Sequence, residues 1–365
     1  MFVLPEVRDL FTAPAVTDIR PVTEADLLGR DLAEIDTAAV AHYITDRRVL
    51  VTGAGGSIGS ELCRQLARFE PEALIMLDRD ESGLHGTQLS IEGRALLNSP
   101  NLVLADIRDE ARLQEVFQQH RPHVVFHAAA LKHLPLLEGA PDEAWKTNVL
   151  GTEHVLAAAQ AVGVDHFVNI STDKAADPVS VLGSSKRITE RLTSHMSECS
   201  PGAYVSVRFG NVLGSRGSVL TIFREQVEQG GPLTVTHEDV TRFFMTVQEA
   251  VRLTIYAGAI GESGDVMVLD MGEPVKIMDV AKRFSRQRTP NIEIVVTGLR
   301  EGEKMHEDLF GEGEFDVRPV HPLISHVPVP PLAMETAMAA YGRGELPMNV
   351  LLHTLAVGSP RREVA

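Results

Sequence analysis

From Arg48 onward, short apolar runs alternate with amphipathic stretches. The runs are Val49–Thr52, Ala73–Leu77, Leu102–Ala105, Val124–His127, Phe167–Ile170, Tyr204–Arg208 and Val266–Leu269. Runs this short and this apolar suit strands buried on both faces. Between the first two, Ile58, Leu62, Leu66 and Phe69 recur at helical spacing. Strand, helix and strand repeated in this way predict an α/β fold, a doubly wound parallel sheet of Rossmann type over 47–210. Residues 1–46 read as a lead-in broken by Pro5, Pro14 and Pro21, with a helix predicted over Thr37–Ile44 and Asp36 as its N-cap. The alternation weakens after Asn211. Glycine-rich segments at Gly214–Gly217, Gly230–Gly231 and Gly298–Lys304 predict a smaller region over 211–315, with the chain returning to the sheet near 266–269. Val235–Arg242 fits either strand or loop. Prolines 319, 322, 328, 330 and 331 predict an extended arm within a C-terminal extension, 316–365.

Composition narrows the possible partners. Asp and Glu outnumber Lys and Arg by 50 to 34, a formal charge of −16 that disfavours nucleic acid or an anionic membrane as partner. A small phosphorylated ligand remains compatible, because local donors can overcome a mean field. Cys63 and Cys199 cannot form a disulfide framework and lack metal-ligand spacing, so no metal site is expected. This cysteine usage fits a reduced, cytoplasmic protein. No apolar run approaches the roughly 18 residues of a membrane span, and the N-terminus lacks the pattern of a signal peptide.

Residues 49–62 read VLVTGAGGSIGSEL. Gly53, Gly55, Gly56 and Gly59 lie between a predicted strand and a helix opened by Ser57 and Ile58. Glycines there allow a tight turn and close approach of a pyrophosphate, and the helix N-terminus supplies free N–H groups and a favourable dipole. This is a dinucleotide-binding signature in its required context. Asp78 closes the second strand, 19 residues after Gly59, where a carboxylate can bind the adenosine ribose of NAD. Arg79 could meet a 2′-phosphate instead, which leaves NADP open. Asp106, followed by Ile107, is expected both to cap the next helix and to contact adenine.

The spacing of Gly53, Gly56 and Gly59 resembles the extended short-chain dehydrogenase/reductase superfamily. That resemblance puts Ala128, Ala129 and Ala130 beside the nicotinamide, implies a cofactor contact for Asn148 in TNVLGT, and makes Lys186 the lysine of the YxxxK motif. The tyrosine of that motif is replaced by Leu182, which cannot carry a proton. The sequence STDKAADP followed by VLGSSKR is similar to the polysaccharide-biosynthesis branch of the nucleotide-sugar 4,6-dehydratases. AAALKHLPLLE, RFGNVLGSRGSV, TRFFMT and LREGEKMHEDLF agree with it, so the resemblance covers about 48–310. Long members of that branch often have an apolar residue at the tyrosine position. Ser184 and Glu301 depart from the pattern of related sequences. The lead-in resembles the linker that follows a membrane domain in long members, so this chain is expected to be either a natural short form or a fragment of such a long protein.

The resemblance implies a closed redox cycle on UDP-N-acetylglucosamine, with NAD tightly bound and regenerated. C4 is oxidised, water is lost across C5 and C6, and hydride returns to C6. Asp173 is implied as the acid at the C6 hydroxyl and Lys174 as the base at C5. A basic lysine needs its pKa lowered from about 10.4 by burial or a nearby cation; Lys186 and the oxidised nicotinamide are the candidates. Thr172 should bind the C4 oxygen, with Asp173 receiving the C4 proton through it. Lys132, with His133 behind it, should line the sugar pocket. Asn211, Arg216, Val219, Arg242, Arg300 and Glu303 should contact the nucleotide diphosphate, where the planar fork of arginine suits phosphate. Phe243, Phe244 and Met245 read as core. The superfamily usually pairs through helices packed on the sheet, so a homo-oligomer is expected. Two other readings remain: a UDP-sugar 4-epimerase, or a catalytically silent NAD-binding scaffold.

Overall fold

The computed structural model describes residues 34–94, 97–286 and 290–358, and the backbone of two-residue strands at 2–3 and 20–21. Most of the predicted lead-in and the last residues of the predicted C-terminal extension lie outside the described residues.

Eight strands form one sheet. They are β1 (Arg48–Thr52), β2 (Ala73–Asp78), β3 (Leu102–Leu104), β4 (Val124–His127), β5 (His166–Ile170), β6 (Ala203–Arg208), β7 (Asp265–Leu269) and β8 (Ile324–Pro328), in the order β8-β7-β6-β5-β4-β1-β2-β3. The seven strands expected from the sequence all form, each within one residue of its expected ends. They run parallel, and β8 is antiparallel to β7 with Ile324 opposite Leu269 and Val327 opposite Val266. The strand order reverses at β1 and β4, which opens a crevice at the C-terminal ends of these strands.

Two apolar layers hold helices against the sheet. On one face, helices Glu110–His120, Gly151–Val162 and Val181–Cys199 pack through Phe117, Val155, Leu156 and Ile188. On the other, Thr37–Ile44, Ser57–Leu66 and Val247–Ile260 pack through Ile44, Leu62 and Val251. The expected cap of the first helix is present: Asp36 Oδ1 accepts from the backbone N–H of Ala38 and Ala39.

The smaller lobe has its own core of Leu220, Phe223, Leu233, Phe244, Ile277 and Phe284. It is built from two parallel strand pairs, Asn211–Leu213 with Phe244–Thr246 and Leu233–Val235 with Ile294–Val296, and one antiparallel pair, Thr241–Arg242 with Val275–Lys276. The stretch that fitted strand or loop is therefore strand at both ends with a turn between.

The expected extended arm is not found. Ile324–Pro328 completes the sheet, and Met334–Arg343 and Met348–Val357 are helices. An edge strand tolerates terminal proline because its outer donors need no partner, so proline density was a poor guide here. The last helix packs on Val181–Cys199 through Leu351, Leu352 and Leu355, and Arg191 donates to the carbonyls of Pro330, Pro331 and Leu355. Trp145 stacks on Tyr341 with ring centroids 5.0 Å apart.

Candidate active site

Gly53 ends β1 in a left-handed conformation, φ 68°, which a side chain would strain. A Cβ on Gly59 would collide with the carbonyl oxygen of Gly53. Glycine at these two places lets the turn fold tightly onto the helix N-terminus. The loop borders a cleft of about 200 Å³ lined by Gly53, Gly56, Asp78, Asp106, Ile107 and Ala128–Ala130. One Asp78 oxygen accepts from Gly55 N at 2.8 Å and the other from Asp80 N at 2.9 Å, so this carboxylate also shapes the loop. Ile58 turns into the core beneath.

Asp106 does not cap the next helix. Asp109 does, accepting from Arg112 N at 3.0 Å, because it is the residue next to the first helical turn. Asp106 lines the cleft and pairs with Arg108 at 2.8 Å and Arg79 at 3.4 Å. Those contacts hold its carboxyl below the usual range despite its partial burial. Asn148, expected at the cofactor, has its side chain fully committed to protein. It bonds both backbone groups of Leu131 and Ser185 Oγ, which braces the loop after β4 against the helix that carries Lys186. It lies in a π-helical turn, Trp145–Leu150.

The turn after β5 and the helix behind it carry Thr172, Asp173, Lys174 and Lys186. Thr172 Oγ1 donates to Asp173 Oδ1 at 2.9 Å, and Lys174 Nζ donates to the same oxygen at 3.0 Å. Lys174 also donates to Asn211 Oδ1 at 3.3 Å and lies 3.4 Å from Glu307 Oε1. Its ammonium is not lowered as a base would need. Burial alone would lower it, but Asp173 and Glu307 outweigh burial and the net shift is upward. Lys186 behaves in the opposite way: burial lowers it to about 8, opposed by Glu190 one turn on. Leu182 is buried in the core. His127, lowered to about 3 by burial and by Lys186, is a neutral brace between Thr52 and Thr152.

The expected substrate contacts divide into three groups. Arg242 pairs with Glu303 at 2.7 Å and donates to the Met305 carbonyl; Glu303 also accepts from Thr236 Oγ1 and Arg300 N, and the Arg300 side chain is exposed. Asn211 joins Lys174. Lys132, His133 and Arg216 meet at the glycine loop, where Lys132 Nζ donates to the Arg216 carbonyl at 2.9 Å and His133 abuts Gly217. Arg216, expected as a nucleotide-diphosphate contact, lies against the glycine loop. Its N–H donates to Ser57 Oγ at 3.1 Å, and its guanidinium reaches the Gly55 carbonyl and, at 3.4 Å, Asp80. Left-handed glycines at 214 and 217 fold this segment back over the dinucleotide loop. Val219 opens the helix Val219–Glu228 at the lobe core.

The sequence matches the family described as "Polysaccharide biosynthesis protein" over residues 49–328. The chain belongs to that family. It is 44% identical over 329 residues to the capsular polysaccharide biosynthesis protein CapD of Staphylococcus aureus, covering 88% of this chain and 55% of that protein. The chain therefore spans about half the length of this curated relative. It is 36% identical over 282 residues to the UDP-glucose 4-epimerase of Rickettsia rickettsii, covering 74% of this chain and 79% of that one. Among solved structures, Pen from Bacillus thuringiensis superposes with a TM-score of 0.71 at 32% identity, over 79% of this chain and 91% of that chain.

Within this family architecture, several site residues were not singled out from the sequence. Glu307 is buried against Lys174. Glu138 Oε1 accepts from Val181 N at 2.8 Å and, with Ser180, caps the helix carrying Lys186. Arg208 is fully buried between Glu190 and Glu314, at 2.8 and 2.6 Å, and Ser171 donates to Glu190 at 2.6 Å just before the turn. A carboxylate in an apolar strand–helix context was the available signal for Glu190; Glu307 lies in the LREGEKMHEDLF stretch, but nothing in that stretch points to Lys174 as its partner. Among the described residues no cluster of three or more His, Cys, Asp or Glu could hold a metal, and no helix is long and apolar enough to cross a membrane.

Proposed function

We propose that the chain is a nucleotide-sugar 4,6-dehydratase that uses NAD and acts on UDP-N-acetylglucosamine in the cytoplasm, forming a UDP-4-keto-6-deoxy sugar. The observation that carries this reading is the hydrogen-bonded Thr172–Asp173–Lys174 turn at the end of β5, followed by the helix that carries Lys186, with Leu182 in the tyrosine position. An adjacent acid and amine suit loss of water from neighbouring carbons, one group at each carbon. An epimerase needs no such pair.

The residues present fit a dinucleotide. The glycine turn leaves room where a Cβ would collide with backbone, and a carboxylate, Asp78, stands at the ribose end of the cleft. Arg79 is already paired with Asp106, which favours NAD over NADP. Gly53, Gly56 and the helix N-terminus would hold the pyrophosphate, Asp78 the adenosine ribose, and Ala128–Ala130 the wall beside the nicotinamide. When bound, NAD+ would accept hydride from C4 and return it to C6.

The chain's own groups move protons. Thr172 bonds the C4 oxygen and passes its proton to Asp173. Lys186, charged below about pH 8, holds the ribose and favours negative charge on the reacting oxygen. Asp173 protonates the departing C6 hydroxyl while Lys174 takes the C5 proton. Arg242, Arg300 and Glu303 bind the nucleotide end. Self-association would use surfaces other than the part of Val181–Cys199 covered by the last helix.

The test is incubation with UDP-N-acetylglucosamine and mass analysis of the product. Loss of one water without added NAD supports a dehydratase with retained cofactor, and Asp173→Asn and Lys174→Ala should each abolish turnover. Full turnover in both variants refutes this mechanism. The 36% identity to a UDP-glucose 4-epimerase keeps an epimerase as second reading, which predicts a product of unchanged mass and altered C4 configuration.

A further inference from the structure

Lys174 is enclosed by more negative charge than it can neutralise. Its Nζ is 3.0 Å from Asp173 Oδ1 and 3.4 Å from Glu307 Oε1, and the two carboxylate side chains are 0% and 2% exposed. Asp173 Oδ2 and Glu307 Oε2 are both buried without a hydrogen-bond partner among the described residues. The next cation felt at Lys174 is Arg242, on a neighbouring strand of the lobe, and its guanidinium is paired with Glu303.

The residues just before Glu307 are tied down by Ala176 and Thr241. Lys304 Nζ donates to the Ala176 carbonyl at 3.0 Å, Thr241 N to the Met305 carbonyl at 3.1 Å, and Thr241 Oγ1 bonds His306 Nδ1 at 2.8 Å. The 304–307 segment thus joins the lobe to the catalytic turn. Burying an incompletely paired carboxylate is costly. A carboxylate kept half-paired against a reacting amine has room for a proton.

We propose that Glu307 is a positioning residue for the elimination: it holds Lys174 in place and stores the lysine's proton while the free amine works at C5. The proposal rests on the dehydratase reading above. In the resting site Lys174 is an ammonium and both carboxylates are ionised. The C4 hydroxyl proton reaches Asp173 through Thr172. Lys174 then gives one proton to Glu307 and becomes a free amine. That amine takes the C5 proton, the C5 electron pair forms the C5–C6 double bond, and the C6 hydroxyl leaves as water with the proton from Asp173. After hydride reaches C6, the Lys174 ammonium protonates C5, and Glu307 returns its stored proton to the amine. The site ends as it began, and the sugar has lost one water.

Glu307→Gln keeps the size and one acceptor but cannot take a proton. With UDP-N-acetylglucosamine its kcat should fall at least ~100-fold while KM changes less than about threefold, and Glu307→Asp should recover part of the loss. The second measurement needs no substrate. The 15N resonance of the Lys174 amine should titrate at least about one pH unit lower in Glu307→Gln than in the wild-type protein, with Asp173 and Arg242 the other charged groups facing it. Thermal unfolding of both variants shows that they are folded. A fall in kcat with an unmoved Lys174 titration makes Glu307 structural and overturns the proposal. So does a Glu307→Gln variant that turns over within threefold of wild type, and in that case the dehydratase reading stands. A wild-type protein that converts no UDP-sugar overturns the reading and the proposal together.

Discussion

Lys186 and Lys174 are both enclosed, yet their ammonium groups are driven in opposite directions. Around Lys186, burial outweighs Glu190 and the group loses its proton near pH 8. Around Lys174, two carboxylates outweigh burial. The cation of Lys186 is the form needed at the ribose, so kcat/KM should fall as pH rises through about 8. Lys186→Arg stays charged and should remove that alkaline fall while lowering the plateau; a pH–rate profile of both proteins checks this. For stability the sign follows from the folded pKa lying below the unfolded one. The folded state binds fewer protons between those values, so this group's contribution grows as pH rises through the window above about 8. At this scale, the sequence drew attention to residues that lie together in a motif: the glycines, Asp78, Thr172 to Lys174, and the LREGEKMHEDLF stretch that contains Glu307. Glu307 is far from Lys174 along the chain, and only the folded lobe brings them together. Asn148 and Arg216 were recognisable as site residues, but their partners, Leu131 and Gly55, are supplied by loops whose paths sequence does not specify.

The helix Val181–Cys199 is the element on which the site depends most. Ser180 and Glu138 satisfy its first donors, and Arg208 clamps its Glu190 to β6. Arg208 holds Glu190 ionised although burial opposes this, and holds Glu314 ionised at about 2. Replacing Arg208 by Met would leave two buried carboxylates without their principal cation. The expected cost is about 3–5 kcal/mol, read as a lower urea midpoint. Activity should fall further than stability alone requires, because Ser171 is tied to Glu190 directly before the catalytic turn. Elements were the most legible level. Seven strands could be read from apolar runs because a strand buried on both faces carries few polar positions to blur it. The eighth sits among prolines, and its edge position permits what a central strand would not.

The whole molecule is one sheet that carries a lobe between its strands. The chain leaves after β6, builds part of the lobe, returns through Val247–Ile260 and β7, leaves again, and comes back as β8. The lobe is therefore anchored at several points, which keeps Glu303 and Glu307 in register with Arg242 and Lys174. The C-terminal helices belong to the same body. Leu352 is fully buried against the Val181–Cys199 layer, so Leu352→Ala should cost about 2–5 kcal/mol, measured by denaturant unfolding. A variant that loses less than half a kcal/mol would show that this helix is dispensable. The sequence predicted the doubly wound sheet and the separate lobe, because both follow from alternation and its loss. It did not predict this last layer, since an amphipathic helix after a proline-rich stretch leaves no trace of which face receives it.

The antiparallel pairing of β8 with β7 sets an order of events during synthesis. Strands β1 to β6 can assemble as soon as they leave the ribosome, and β7 can then add to their edge. At that stage the outer backbone groups of β7 face solvent, and an open edge of this kind is a template for another chain. It remains open while residues 270–323 are translated. Any slowing of translation over that interval lengthens the time for which this edge stays open, and the arrival of Ile324–Pro328 closes it.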